Sequence, residues 1–78
     1  ITPDREFLNK ELSDKIGAAL ARLDADKRLV FTLKELQQLS YNEISEITGS
    51  AIPKLKTDLR RAKIEMRRIL KPYLEAKL

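Results

Sequence analysis

The sequence predicts an all-α domain of four helices, the last of them long and basic. Three observations carry that prediction. Apolar residues recur at three- and four-residue spacing along nearly the whole chain, and no alternating run marks a strand. Capping residues and a glycine divide the periodic stretches into separate helices. Positive charge gathers toward the C-terminal end. Residues 1–50 carry seven Lys/Arg against nine Asp/Glu, a net of −2, whereas residues 51–78 carry nine against three, a net of +6.

Residues 1–5 read as the tail of a linker and residues 6–78 as the domain. Phe7, Leu8, Leu12, Ile16, Ala19, Leu20 and Leu23 keep helical spacing, which predicts a first helix over about 3–23. Pro3 is acceptable in its first turn, and Gly17 weakens it slightly or allows close packing. Asp24-Ala25-Asp26 interrupts the pattern, and either aspartate can cap a second helix over about 27–38. Leu29, Val30, Leu33 and Leu36 form its expected buried stripe, with Phe31 and Leu39 at the flanks.

Ser40 followed by Glu43 is a capping box, which marks a third helix. Tyr41, Ile44 and Ile47 give it an apolar face, and Gly49 ends it as a left-handed cap. Ser50 is placed to cap the fourth helix, with Pro53 in the first turn. Ile52, Leu55, Leu59, Ala62, Met66, Ile69, Leu70 and Tyr73 form its apolar stripe. Lys54, Lys56, Arg60, Arg61, Lys63, Arg67, Arg68 and Lys71 occupy the other side. Pro72 is expected to kink or end this helix.

Composition excludes several functions. The 78 residues make one small domain. There is no cysteine and no histidine, so disulfides, thiolate metal sites, the commonest general base and the usual triads are missing. Two glycines, Gly17 and Gly49, cannot build a phosphate loop. No convergent nucleophile, base or metal-ligand set is visible, so no enzyme, metal or cofactor is expected. No apolar run reaches the roughly 20 residues that cross a bilayer, and Asp4, Arg5 and Glu6 interrupt any leader-like start. A chain that opens at Ile1, with its one methionine at Met66, is expected to be a segment of a longer protein.

The segment from Ser40 to Lys63 reads as short helix, glycine turn, basic helix. Two helices joined in this way pack at a steep angle. Ser45 is small enough to face the partner helix, Gly49 makes the turn, and Ile52, Leu55 and Leu59 anchor the second helix. Such a helix-turn-helix offers the outer N-terminal face of its second helix to a major groove.

Residues 20–70 resemble the fourth conserved region of extracytoplasmic-function sigma factors, within the sigma-70 family. The matching runs are Ala-Leu-Ala-Arg-Leu (19–23), Lys-Arg-Leu-Val-Phe (27–31), Leu-Ser-Tyr-Asn-Glu-Ile-Ser-Glu-Ile (39–47) and Leu-Lys-Thr-Asp-Leu-Arg-Arg-Ala-Lys (55–63). The resemblance implies a subunit of bacterial RNA polymerase that reads the −35 element of promoter DNA. It also implies docking on the polymerase β-subunit flap, control by an anti-sigma factor, and a cytoplasmic, nucleoid-associated location. The chain departs from the family's pattern at four places. Thr48 and Ser50 stand where bulky apolar residues are general, Pro53-Lys54 where Gly-Thr is usual, and Asp58 where a basic residue is usual.

The expected DNA-binding residues are Lys54, Lys56, Thr57, Arg60, Arg61, Lys63 and Arg67. Lys56 and Thr57 match the family motif most directly, and suit a phosphate and a phosphate or base edge. Lys54, Arg60 and Arg61 suit phosphates, and arginine also reads guanine. Lys63 and Arg67 lie further along. Arg68 and Lys71 read as solvated, Asp58 as a partner of Lys54 or Arg61, Tyr41 as a core aromatic, and Ser40 as a cap. Two other readings remain open: a protein-interaction module for an anti-sigma factor or polymerase flap, and another helix-turn-helix regulator such as a response-regulator domain.

Overall fold

The computed structural model describes the backbone of residues 3–77 and the side chains of residues 10–76. Four helices run in order: α1 (Pro3–Leu20), α2 (Ala25–Phe31), α3 (Tyr41–Thr48) and α4 (Ile52–Lys77). A π-helical turn, Thr32–Leu36, extends α2. No strand occurs among the described residues. The architecture is the expected all-α helix-turn-helix domain. Ile1 and Thr2 of the expected linker, and the side chains of Phe7 and Leu8, lie outside the described residues; from Pro3 the backbone is helical.

Helix α1 stops at Leu20, three residues before the predicted end. Arg22 and Leu23 donate to the carbonyls of Ala19 and Leu20, tightening the last turn into three-residue steps. Asp24 is then extended (φ −67°, ψ 166°) and accepts from the Lys27 backbone N–H at 3.0 Å, so α2 begins at Ala25 rather than Lys27. Arg28 reaches back to satisfy open carbonyls of the preceding turn, donating to Leu20 at 3.2 Å and Leu23 at 2.9 Å.

The second helix does not continue as one α-helix to Gln38. Gln37 N–H bonds the Thr32 carbonyl at 2.9 Å and Leu39 N–H the Leu33 carbonyl at 3.0 Å, five and six residues back. Gln38 follows at φ 58°, a left-handed position that usually takes glycine. The wider turn leaves Leu33 half-buried and turns Leu36 outward, 50% exposed; before it, in α2, Val30 is buried and Leu29, beside the core rather than in it, is 46% exposed.

Helix α3 carries both bonds of the capping box: Ser40 Oγ accepts from Glu43 N–H at 3.1 Å, and Glu43 Oε1 accepts from Ser40 N–H at 2.9 Å. Ile44 is fully enclosed, but Ile47, one turn on, is exposed instead of joining that face. Gly49 closes the helix at φ 75° with its N–H on the Ser45 carbonyl. Helix α4 runs through Pro72 to Lys77 rather than ending there. Ile69, Leu70 and Tyr73 on that stretch are half-buried, and Ile69 and Leu70 pack with the core, which holds the helix across the missing N–H.

Two buried clusters share α4 as their wall. Val30, Ile44, Leu55 and Leu59 form one, under the helix-turn-helix. Ala19, Leu23, Ala62 and Met66 form the other, where α1 meets α4. Phe31, expected only at a flank, packs against both. Enclosing a side chain such as Ile44 is worth about 1.5–3 kcal/mol. Three ion pairs also join the α2 region to α4: Lys27–Glu65, Lys54–Asp26 and Lys63–Glu35.

Candidate nucleic-acid interface

The turn between α3 and α4 is held by its polar residues. Ser45 Oγ donates to the Ser50 carbonyl at 2.7 Å. Thr48 Oγ1 donates to the Ile44 carbonyl at 2.8 Å and accepts from Ser50 N–H at 3.2 Å. Thr48 and Ser50, departures from the family's apolar pattern, thus form a hydrogen-bonded staple. Ser50 acts through its backbone, not as the cap of α4. Ala51 holds the flanking position, and its carbonyl accepts from Leu55 N–H. This fixes the entry of α4, from which most candidate side chains project.

The structure sorts those side chains onto two flanks. Lys56, Arg60, Lys63 and Arg67 recur at four-, three- and four-residue spacing, which keeps them on one side of a helix. All four are exposed, and with Tyr41, Leu59 and Ile64 they line an open cleft of about 280 Å³. Lys56 Nζ lies 5.5 Å from the Tyr41 ring centroid, within cation–π range. Lys63 is tied to Glu35 at 2.7 Å.

The other flank is matched by acid. Lys54 Nζ lies 2.6 Å from Asp58 and 3.0 Å from Asp26. The hydrogen bond it donates to Asp58, then the one it donates to Asp26, holds this ammonium above its ordinary value. Asp58 therefore takes Lys54 as partner. Arg61 lines a recess with Asp24, Asp26, Lys27 and Asp58. Thr57 is half-buried. The seven residues expected to bind DNA therefore do not form one surface: Lys56, Arg60, Lys63 and Arg67 share a cleft, and Lys54 and Arg61 face carboxylates.

The frame around the site is also polarised. The Lys27 backbone N–H holds the Asp24 carboxyl below its usual range, and the Ser40 backbone N–H does the same for Glu43. A hydrogen bond to Glu65 raises Lys27. No group of acidic residues among those described could hold a metal ion. Among the described residues no helix is long and apolar enough to cross a membrane.

One cation beside Tyr41 escapes sequence reasoning. Lys34 Nζ lies 5.0 Å from the Tyr41 ring centroid. An unbroken α-helix over 27–38 gave no reason to single it out. The ring of Tyr41, expected to serve the core, does pack there and also lines the cleft.

Comparison with known proteins agrees with this architecture. The chain is 33% identical over 66 residues to the RNA polymerase sigma factor YlaC of Bacillus subtilis, an alignment covering 85% of this chain and 38% of that protein. It is 29% identical over 73 residues to the ECF RNA polymerase sigma-E factor of Haemophilus influenzae, covering 94% of this chain and 39% of that one. The chain thus spans less than two fifths of the length of these relatives. The family described as sigma-70, region 4 matches residues 13–66, which contain α2, α3, the turn and the first half of α4. The chain belongs to the sigma-70 region 4 family.

Proposed function

We propose that this chain is the promoter-reading part of a sigma factor, which binds the −35 element and so directs RNA polymerase to initiate transcription. The carrying observation is the exposed row Lys56, Arg60, Lys63 and Arg67 on the helix that follows the glycine turn. In this reading Lys56 holds a phosphate and so positions the helix, Lys63 divides its charge between Glu35 and a phosphate, and Arg60, with its paired donors, reads a base edge or a phosphate. Thr57 lies beside them, and Arg67 meets the backbone further along. Lys54 and Arg61 contribute less, because the nearby carboxylates offset their attraction for phosphate. The work takes place in the bacterial cytoplasm, on the nucleoid, with the polymerase core as partner.

A second surface favours a companion role in protein docking. Leu12, Ser13, Ile16, Gly17, Leu20 and Leu36 line an open, mostly apolar groove of about 450 Å³ between α1 and the turn after α2. We assign it to the polymerase β-subunit flap or an anti-sigma factor.

The test is fluorescence anisotropy of the chain with a labelled promoter duplex at several salt concentrations. Binding should weaken with salt, with a log–log slope of about −0.9 for each phosphate neutralised. Lys56→Ala should make the slope shallower. No binding at low salt would sink the DNA-reading role for this chain and leave protein docking as its function.

A further inference from the structure

The cleft beside α4 holds one amine in a setting that no other described lysine shares. Lys56 is exposed, and among the described residues its ammonium enters no ion pair. Lys54, two residues earlier, is held by Asp58 at 2.6 Å and Asp26 at 3.0 Å, and Lys63 by Glu35 at 2.7 Å. The Tyr41 ring centroid lies 5.5 Å from Lys56 Nζ, which keeps the side chain over the cleft. Arg60 follows one turn later, at the four-residue spacing that brings Cβ atoms to roughly 5–6 Å of each other. Lys56, Arg60 and Arg67 line the same open cleft of about 280 Å³, room for a small anion.

Group transfer to a lysine needs an amine clear of carboxylates and a reagent held beside it. The neighbouring guanidinium decides which reagent is held. Its planar fork takes a phosphate through paired donors. An acyl group carried on phosphate is therefore drawn in by its own leaving group, whereas an acyl group on a neutral carrier gains nothing from the cleft.

We propose that Lys56 is an acylation site for small acyl phosphates, with Arg60 as the positioning residue that holds the phosphoryl group. The neutral amine of Lys56 attacks the acyl carbonyl. A C–N bond forms as the C–O bond to phosphate breaks, inorganic phosphate leaves with the electron pair, and the amine proton passes to water. Holding the reagent one turn from the amine makes the step effectively intramolecular. The amide product is uncharged, so the open row loses a cation. The consequence for promoters rests on the DNA-reading role above. A duplex seated on the cleft shields Lys56, so free copies of the chain are modified and bound copies are spared.

The experiment treats the 78-residue chain with acetyl phosphate and follows each lysine by peptide mass spectrometry. Lys56 should be labelled ahead of Lys15, Lys34, Lys54 and Lys63. Lys15 is the sharpest comparison. It too lies over a tyrosine, 5.6 Å from the Tyr73 ring centroid, but the arginine lining its groove, Arg22, is seven residues and so about 10.5 Å further along the helix direction. Arg60→Gln should erase the lead of Lys56 with acetyl phosphate and leave its rate with a neutral acetyl thioester unchanged. Inorganic phosphate should slow Lys56 and spare Lys15. Chain acetylated at Lys56 should bind a promoter duplex with a log–log salt slope shallower by about 0.9. Equal labelling of Lys56 and Lys15, or a lead that survives Arg60→Gln, would overturn the site, while salt-dependent binding by the unmodified chain would leave the DNA-reading role standing. A lead at Lys56 in a chain that binds no duplex at low salt would keep the acylation site and remove the DNA-reading role.

Discussion

The two flanks of α4 carry similar basic residues and differ in what faces them. On one flank Lys56, Arg60 and Arg67 look into an open cleft, with a tyrosine ring and another lysine nearby. On the other, Lys54 and Arg61 meet Asp24, Asp26 and Asp58 from α2, its cap and α4 itself. Counting lysines and arginines along the helix makes the flanks look equivalent. Folding makes them unequal, because α2 and its cap bring Asp24 and Asp26 to one flank, whereas the open flank receives Glu35 alone, on Lys63. A basic helix thus acquires a direction of approach from its neighbour, since a polyanion is drawn to the flank where charge is not already offset.

The largest effect that would break this comparison is a charge reversal in the open row. Arg60→Glu should cost about 1–3 kcal/mol of DNA binding. Anisotropy that shows parental affinity would move the interface off this flank. Next comes a change to the frame rather than to its charge. Ser40→Ala removes one bond of the capping box and should lower unfolding stability by about 0.5–2 kcal/mol, read from the urea midpoint. Its salt slope for DNA should match the parent, because no cation is lost; an altered slope would mean that the cap itself touches phosphate.

A smaller change should bring the two flanks closer. Asp58→Asn takes one carboxylate from Lys54, which should tighten DNA binding and steepen the salt slope by up to about 0.9. An unchanged slope would show that Asp26 alone keeps Lys54 out of reach. The smallest effect is that of pH on stability. Asp24 and Glu43 are depressed below their ordinary values of 3.8 and 4.5, so their contribution is complete above those values and is lost as pH falls below them and through the depressed folded values. Lys27 and Lys54 are raised above 10.5, so theirs is complete below that value and is lost only as pH rises beyond it. Melting temperature should therefore be nearly flat from roughly pH 5 to pH 10 and should drop first on the acid side. A sharp change near neutrality would contradict these pairings.

The sequence revealed most where structure is local. The capping box at Ser40 and Glu43, the left-handed Gly49 and the apolar stripe of α4 all follow from spacing, and all are present. It revealed less where a long-range contact decides. The π-helical turn has no local signature in Thr32–Leu36, yet it turns Leu36 outward and accompanies Lys34's approach to Tyr41. Arg28 as a helix cap could not be read either, since its carbonyls belong to the preceding helix and turn. In the interface, helical spacing grouped Lys56, Arg60, Lys63 and Arg67. The separation of Lys54 and Arg61 depended on where α2 lies, which no pattern within α4 records.

The length of α4 has a consequence for simultaneous occupancy. Its 26 residues span about 39 Å, against a major groove about 12 Å wide. The ten residues beyond Arg67 add about 15 Å of helix past the last candidate contact. That stretch, packed on α1, stands clear of a duplex seated on the first turns. In the proposed DNA-reading role the helix is therefore a spacer as well as a reader, leaving the α1 surface open to a second macromolecule while a duplex is bound.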